Sequence, residues 1–340
     1  MTAPTPFSWN RAVVTGGRGF VGGALVEGLR RLGKEVVVFD RGGPGRPPLP
    51  DGVTAVHGDL RDASAVTGAF AGADVVFHLA ANASGTFSIA HPRTDFEINA
   101  LGTVNVAEAV LAAGVRRLVH VSSASVYGAP SRVPCHEDDP TIPILPYGAS
   151  KHAGETFVRA MHASHDLPVV AGRPFCIYGP GEDPVRAEVE VSRFLRWHLR
   201  GEPIRVLGDA DGKRRDFVSV HDVVAALVTM ADRGTPGDVM NIGSSTDVSL
   251  TELLELIGAA TGREPEIEQV ESDSPDTYPL IADTQRLRSL GWEPRVTLEA
   301  GIAELVPLLE ADPRLPVVDS TLRVEQLRSP PPDFDWAAAS

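Results

Sequence analysis

Cysteine is nearly absent from this 340-residue chain. Cys135 and Cys176 cannot make a disulfide framework, so the fold must rest on an apolar core, and a reducing cytoplasm is the expected setting. Basic residues are scarce as well: the net charge of −14 excludes a general nucleic-acid binder, because affinity for a phosphate backbone needs clustered Lys and Arg. A few local basic sites for small phosphates stay compatible with that balance. No apolar run approaches the roughly 18 residues of a membrane span, and the start MTAPTPFSWN lacks the basic-then-apolar layout of a signal peptide. What remains is ample apolar content, 43%, in a chain long enough for a nucleotide-binding α/β unit with a second lobe.

Periodicity supports that reading. RAVVT (11–15) and EVVVF (35–39) are β-branched runs flanking FVGGALVEGLRRLG, an amphipathic stretch ended by Gly33, which together make a βαβ unit. The alternation continues through VTAVHGD, ADVVFHLA, an Ala-rich helix near 93–113, VRRLVHVSS, a helix from about Tyr147 to His165, and LPVVAGR. Such alternation predicts a Rossmann-type, doubly wound parallel sheet with helices on both faces. We expect residues 1–174 to form the dinucleotide-binding domain, with parts of 215–245 returning to it. Residues 175–310 form a smaller, discontinuous α/β substrate lobe with helices near 188–199, 220–232, 249–261 and 298–309, and 311–340 a Pro-rich tail.

The segment TGGRGFVG sets Gly16, Gly19 and Gly22, with Phe20 and Val21, between the first strand and the first helix. Glycines there permit a tight turn and close approach of a pyrophosphate to the helix N-terminus. Asp40 follows about 20 residues later, where a carboxylate can accept from ribose hydroxyls, and this favours NAD over NADP. The neighbouring Arg41 tempers the choice, since a guanidinium can receive a 2′-phosphate. Asp59 and Leu60 in GDLRD, and Leu79, Ala80 and Ala81 in HLAA, extend the same crevice along the switch point of the sheet.

At the other end, Tyr147 and Lys151 in PYGASK stand four apart and share one helix face. A nearby ammonium and a cationic nicotinamide ring would favour the phenolate, which could take a proton from a sugar or alcohol hydroxyl. Other titratable clusters point nowhere so definite. His136 to Asp139 (HEDD) matches a surface loop, and His162 with His165 has no further ligands, so no metal site is expected. Cys176 is a reactive thiol only if exposed.

The ordered series TGGRGFVG, GDLRD, HLAA, EINALGTVNV, VSSASVYG, PYGASK, RPFCIYGPG, RRDFVSVHD and ADTQRLRSLGW resembles the extended short-chain dehydrogenase/reductase superfamily, in its NAD-dependent sugar epimerase/dehydratase branch. The resemblance covers residues 11 to about 305. It implies a catalytic set of Ser123, Tyr147 and Lys151, with Asn99 near the site. On the cofactor side it adds Asn99, Pro174, Tyr147 and Lys151; on the substrate side it implies Ser84, Ser123, Ser125, Tyr147, Cys176 and Arg215, the last on a diphosphate. Tyr127 is expected to support the strand end and Ser122 to be structural. A homodimer through the helices near 93–113 and 147–165 is also implied.

Members resembling 4,6-dehydratases carry an Asp-Glu pair after the catalytic hydroxyl residue, and related decarboxylases keep a Glu two before the tyrosine. Here Ala124 and Ser125 stand instead, and neither can shuttle a proton as a carboxylic acid does. The resemblance is therefore closest to nucleotide-sugar 4-epimerases acting on a UDP- or dTDP-linked sugar, with a dehydratase, decarboxylase or oxidoreductase of the same family as the alternative. A non-catalytic NAD-binding regulator is disfavoured by the intact Ser123, Tyr147 and Lys151. Two departures affect the phosphate grip: Cys176 replaces an amide in the R-x-x-N pattern, and Asp273 replaces a second phosphate-binding arginine. Glu182 or Asp183, after YGPG, could supply an acid for another reaction.

Overall fold

Seven short runs rich in Val, Ala and Phe pair into one parallel sheet, because each is flanked by a helix that returns the chain to the same edge direction. The computed structural model describes residues 7–43, 48–184, 187–271, 278–312 and 314–316. Its first part runs β1 (Arg11–Thr15), α1 (Phe20–Arg31), β2 (Glu35–Asp40), β3 (Thr54–His57), α2 (Ala63–Ala69), β4 (Val75–His78), α3 (Gly85–Ala90), α4 (Pro92–Phe96), a π-turn (Glu97–Leu101), α5 (Gly102–Ala112), β5 (Arg117–Val121), a 3₁₀ turn (Ala124–Tyr127), α6 (Pro146–His165) and β6 (Val169–Pro174). The second part runs β7 (Cys176–Tyr178), α7 (Glu190–Arg200), β8 (Ile204–Leu207), β9 (Arg214–Arg215), β10 (Phe217–Ser219), α8 (Val220–Arg233), β11 (Val239–Ile242), β12 (Val248–Ser249), α9 (Leu250–Thr261), β13 (Ile267–Val270), α10 (Gln285–Ser289) and α11 (Leu298–Ala311).

The strand order is β11-β6-β5-β4-β1-β2-β3, so the direction of winding reverses between β1 and β4. A crevice opens there, beyond the carboxyl ends of the two strands. Alternation within β1 divides the core: Ala12 and Val14 pack with Leu25, Leu29, Val223 and Leu227 of α1 and α8, whereas Val13 packs with Val66 of α2, Phe70 just after it, and Val106 and Val110 of α5. Both faces are thus covered, as the Rossmann-type reading requires.

Beyond β6 the regular alternation stops. The small sheets β7–β10, β9–β12 and β8–β13 pack with α7, α9 and α11 around Phe194, Leu195, Leu253, Ile257 and Ile302, while α8 and β11 rejoin the large sheet. The Asp273 position and the tail beyond residue 316 lie outside the described residues.

Two expectations need correction. The helix near 93–113 is not uniform: it opens at Pro92 and is interrupted by the π-turn at Glu97–Leu101, which carries Asn99 inward. The HEDD segment is not simply a surface loop, because the Glu137 side chain is fully buried and accepts from the Asn241 N–H at 2.9 Å. It belongs to a polar hub. Arg173, at the end of β6, donates to both carboxylate oxygens of Glu155 on α6 (2.9 and 2.5 Å), to Tyr127 Oη (2.9 Å) and to the Glu137 carbonyl (3.0 Å). Tyr127 in turn donates to Asn241 Oδ1 at 2.7 Å.

Burial pushes the Glu155 carboxyl up and Arg173 more than reverses it, so the net shift is downward. A depressed carboxylate stabilises the fold at neutral pH, and that contribution is lost as pH falls through the folded value. Arg173→Met should leave Glu155 buried and unpaired, costing about 3–5 kcal/mol in urea unfolding at pH 7. A loss below about 1 kcal/mol would mean that the pair is not what holds these segments together.

Candidate active site

The β1–α1 turn is built for an anion. Gly16 adopts φ +72°, and a Cβ on it would come within 2.7 Å of Ala80 Cα; a Cβ on Gly22 would strike the Gly16 carbonyl. Helix α1 then begins at Gly19 with no side-chain cap and no acidic residue in its first turn, so its N–H groups face the crevice unblocked. These features fit the pyrophosphate of a dinucleotide.

The crevice is a cavity of about 760 Å³, within the range of small-molecule sites. Gly16, Gly19, Phe20, Val21 and Gly22 line its floor; Asp40, Arg41, Asp59 and Leu60 line one part, and Leu79, Ala80 and Ala81 the middle. Ser84, Ser123, Tyr147, Pro174 and Cys176 also line it. Asp40 accepts from the N–H groups of Arg18 (3.0 Å) and Gly42 (2.8 Å), which orients its carboxylate. Asp59 pairs with Arg61 at 2.6 Å, a contact that lowers its pKa.

Ser123 caps the 3₁₀ turn. Its Oγ accepts from Ser125 N–H (3.2 Å) and Ser125 O–H (2.8 Å), which leaves its own proton for the Tyr147 hydroxyl that it meets at the cavity. Tyr147 sits in the first turn of α6, which Pro146 starts at N1. Burial pushes its phenol up to about 12; the Ser123 hydroxyl lowers it, while Asp95 and Glu188 raise it further. The Lys151 ammonium is buried behind the wall and donates to the Val121 carbonyl at 2.6 Å. Burial lowers it to about 8, against the opposing pull of Asp95 and Glu155.

Three other residues stand outside the cavity lining. Asn99 points into a polar cluster: its amide Nδ2 lies 3.0 Å from each of Asn82 O, Asp95 Oδ1 and Ser150 Oγ, and its Oδ1 accepts from Asn82 N–H at 2.8 Å. Ser125 supports Ser123. Arg215 is buried in the second part, where it donates to the carbonyls of Arg214 (3.0 Å) and Tyr278 (2.5 Å). Glu190, which pairs with Lys213 at 2.9 Å, lies close enough for Arg215 to help lower its pKa.

Cavity residues that the sequence reading missed include Asn82, Phe87, His91 and Glu188. The first directly follows HLAA, and Phe87 and His91 come from α3 and its C-cap; the Ser84 N-cap of that helix was a legible signal. Glu188 accepts from Gly85 N–H at 3.2 Å, a contact no local pattern announces. Glu182 also lines the cavity, where burial raises it to about 7 and Ser192 donates to it.

A parallel sheet with a glycine cradle at its switch point and a tyrosine and serine facing the same cavity define a dinucleotide-dependent oxidoreductase-type site. Residues 12–243 match the NAD dependent epimerase/dehydratase family, and the chain belongs to that family. It is 37% identical to a UDP-glucose 4-epimerase of Mycolicibacterium smegmatis over 306 residues, 87% of this chain and 97% of that one. Among solved structures, it resembles a Thermus thermophilus UDP-glucose 4-epimerase complexed with NAD, at TM-score 0.81 and 32% identity, covering 89% of this chain and 99% of that one. A Thermotoga maritima UDP-glucose 4-epimerase with UDP-glucose aligns at TM-score 0.83 and 29% identity, covering 88% and 99%. Like its family, the chain is NAD-dependent. Among the described residues, no helix is long and apolar enough to cross a membrane.

Proposed function

We propose that this protein is an NAD-dependent nucleotide-sugar 4-epimerase. The observation that carries the reading is that Ser123 and Tyr147 line the same cavity as the glycine cradle, while the turn after Ser123 carries Ala124 and Ser125, not a carboxylic acid. The dinucleotide, when bound in its oxidised form, supplies a hydride acceptor and donor and a positive charge in the cleft. Tyr147 takes the proton of the sugar hydroxyl. Ser123, its lone pairs occupied by Ser125, donates to the reacting oxygen as that oxygen alternates between alcohol and ketone. Lys151 supports the phenolate from behind the wall, and the sugar turns over before its carbon is reduced again.

The finer assignments follow the same reading. The substrate is a UDP- or dTDP-linked sugar, Cys176 lies against it, and Arg215 serves its diphosphate. Residues 175–310, less the segments that rejoin the sheet, form the substrate lobe, and the reducing cytoplasm suits two free cysteines. The exposed Phe96 and Leu101, 48% and 50% accessible, mark the α4–α5 segment as part of a homodimer face shared with α6.

Incubation with a panel of nucleotide sugars should yield a product of unchanged mass and altered stereochemistry. Tyr147→Phe should lower turnover by about 10²–10⁴-fold with little change in Kd for NAD. Loss of water or carbon dioxide from the product, or near-full activity of Tyr147→Phe, would contradict the assignment. Light scattering at micromolar concentration should give twice the 36.1 kDa chain mass, and a monomer would refute the dimer.

A further inference from the structure

Behind the cleft wall lies a carboxylate that the reaction as described does not use. Asp95, on α4, is fully buried. Its Oδ1 accepts from Asn82 Nδ2 at 2.6 Å and from Asn99 Nδ2 at 3.0 Å; its Oδ2 accepts from Ser150 Oγ at 2.5 Å. Each donor belongs to a different part of the site. Asn82 lines the cavity, Asn99 sits in the π-turn, and Ser150 lies on α6 between Tyr147 and Lys151. All three donors are neutral, and among the described residues Asp95 makes no ion pair.

A buried anion held only by neutral donors is costly unless a cation lies near. Lys151 is the cation that feels it. Of the other groups facing Lys151, Glu155, one turn further along α6, pulls in the same direction but is already held by both arms of Arg173. His120 on β5 and His78 on β4 are fully buried and held neutral, first by burial and then by the Lys151 charge itself. Tyr147 carries no positive charge in either form.

We propose that Asp95 is a positioning residue of the active site: through its hydrogen bonds to Asn82, Asn99 and Ser150 it fixes the Tyr147–Lys151 helix against the cleft wall, and its carboxylate serves as a counter-charge to Lys151. The proposal rests on the reading of Tyr147 and Lys151 as the reacting pair. Its test needs neither substrate nor cofactor, so the two stand or fall separately.

The chain has only three lysines, Lys34, Lys151 and Lys213, which makes each one resolvable by NMR of protein carrying ¹³C-labelled lysine. Lys151 is assigned from Lys151→Arg. It should titrate near 8 in the natural protein, and Asp95→Asn should move that value down by about one pH unit. Lys34 and Lys213 should stay in place, and Asp95→Glu, which retains the charge, should return Lys151 to its original value. Where Asp95→Asn does not fold, Asp95→Ser serves, since it also removes the charge and should shift Lys151 in the same direction. An unmoved Lys151 in folded Asp95→Asn, or in Asp95→Ser if the first variant is unfolded, would overturn the proposal.

Discussion

The buried pairing of Arg173 with Glu155 sets where the two halves of the reacting end can stand. Glu155 lies one helical turn after Lys151 on α6, and Arg173 lies at the carboxyl end of β6. The same guanidinium holds Tyr127, which ends the turn that begins beside Ser123. A bidentate arginine has little rotational freedom once both carboxylate oxygens are engaged, so it acts as a fixed strut between strand end and helix. Ser123 and Tyr147 consequently meet across the cleft through groups that never enter it.

A second set of buried polar contacts meets the first at α6. Asp95, Asn82, Asn99 and Ser150 join the middle of the crevice to the helix from the opposite side. Thr15 adds a third connection. Its hydroxyl oxygen receives the N–H groups of Leu79 and Ala80 and contacts His78 Nδ1, while His78 Nε2 contacts Thr103, which donates to the Asn99 carbonyl. Because Thr15 accepts from two N–H groups, its proton goes to His78, which makes Nε2 the protonated nitrogen. The glycine cradle at the end of β1 is thereby tied to the π-turn. Each buried group is costly if left alone and stabilising when satisfied, so the network favours one arrangement of the site.

What was legible in the sequence is what neighbouring residues decide for themselves. The β1–α1 turn needs glycine whatever surrounds it, and Tyr147 and Lys151 share a face by helical spacing alone. Strand alternation was enough to predict a parallel sheet covered on both sides. The unreadable part depends on contacts between distant segments. Nothing near Glu137 indicates that its carboxylate will meet the Asn241 N–H, and nothing near Glu188 announces Gly85. Spacing shows that Lys151 lies one turn from Tyr147, but not that burial pushes the phenol up or that the ammonium donates to the Val121 carbonyl.

The central claim is that one carbon of the sugar is oxidised and then reduced again without exchange with solvent. It is tested most directly with a nucleotide sugar deuterated at that carbon and turned over in ordinary water. The account predicts that the inverted product keeps the deuterium at the same position. Loss of the label to water would place the chemistry at a neighbouring carbon through an enol, and would contradict it.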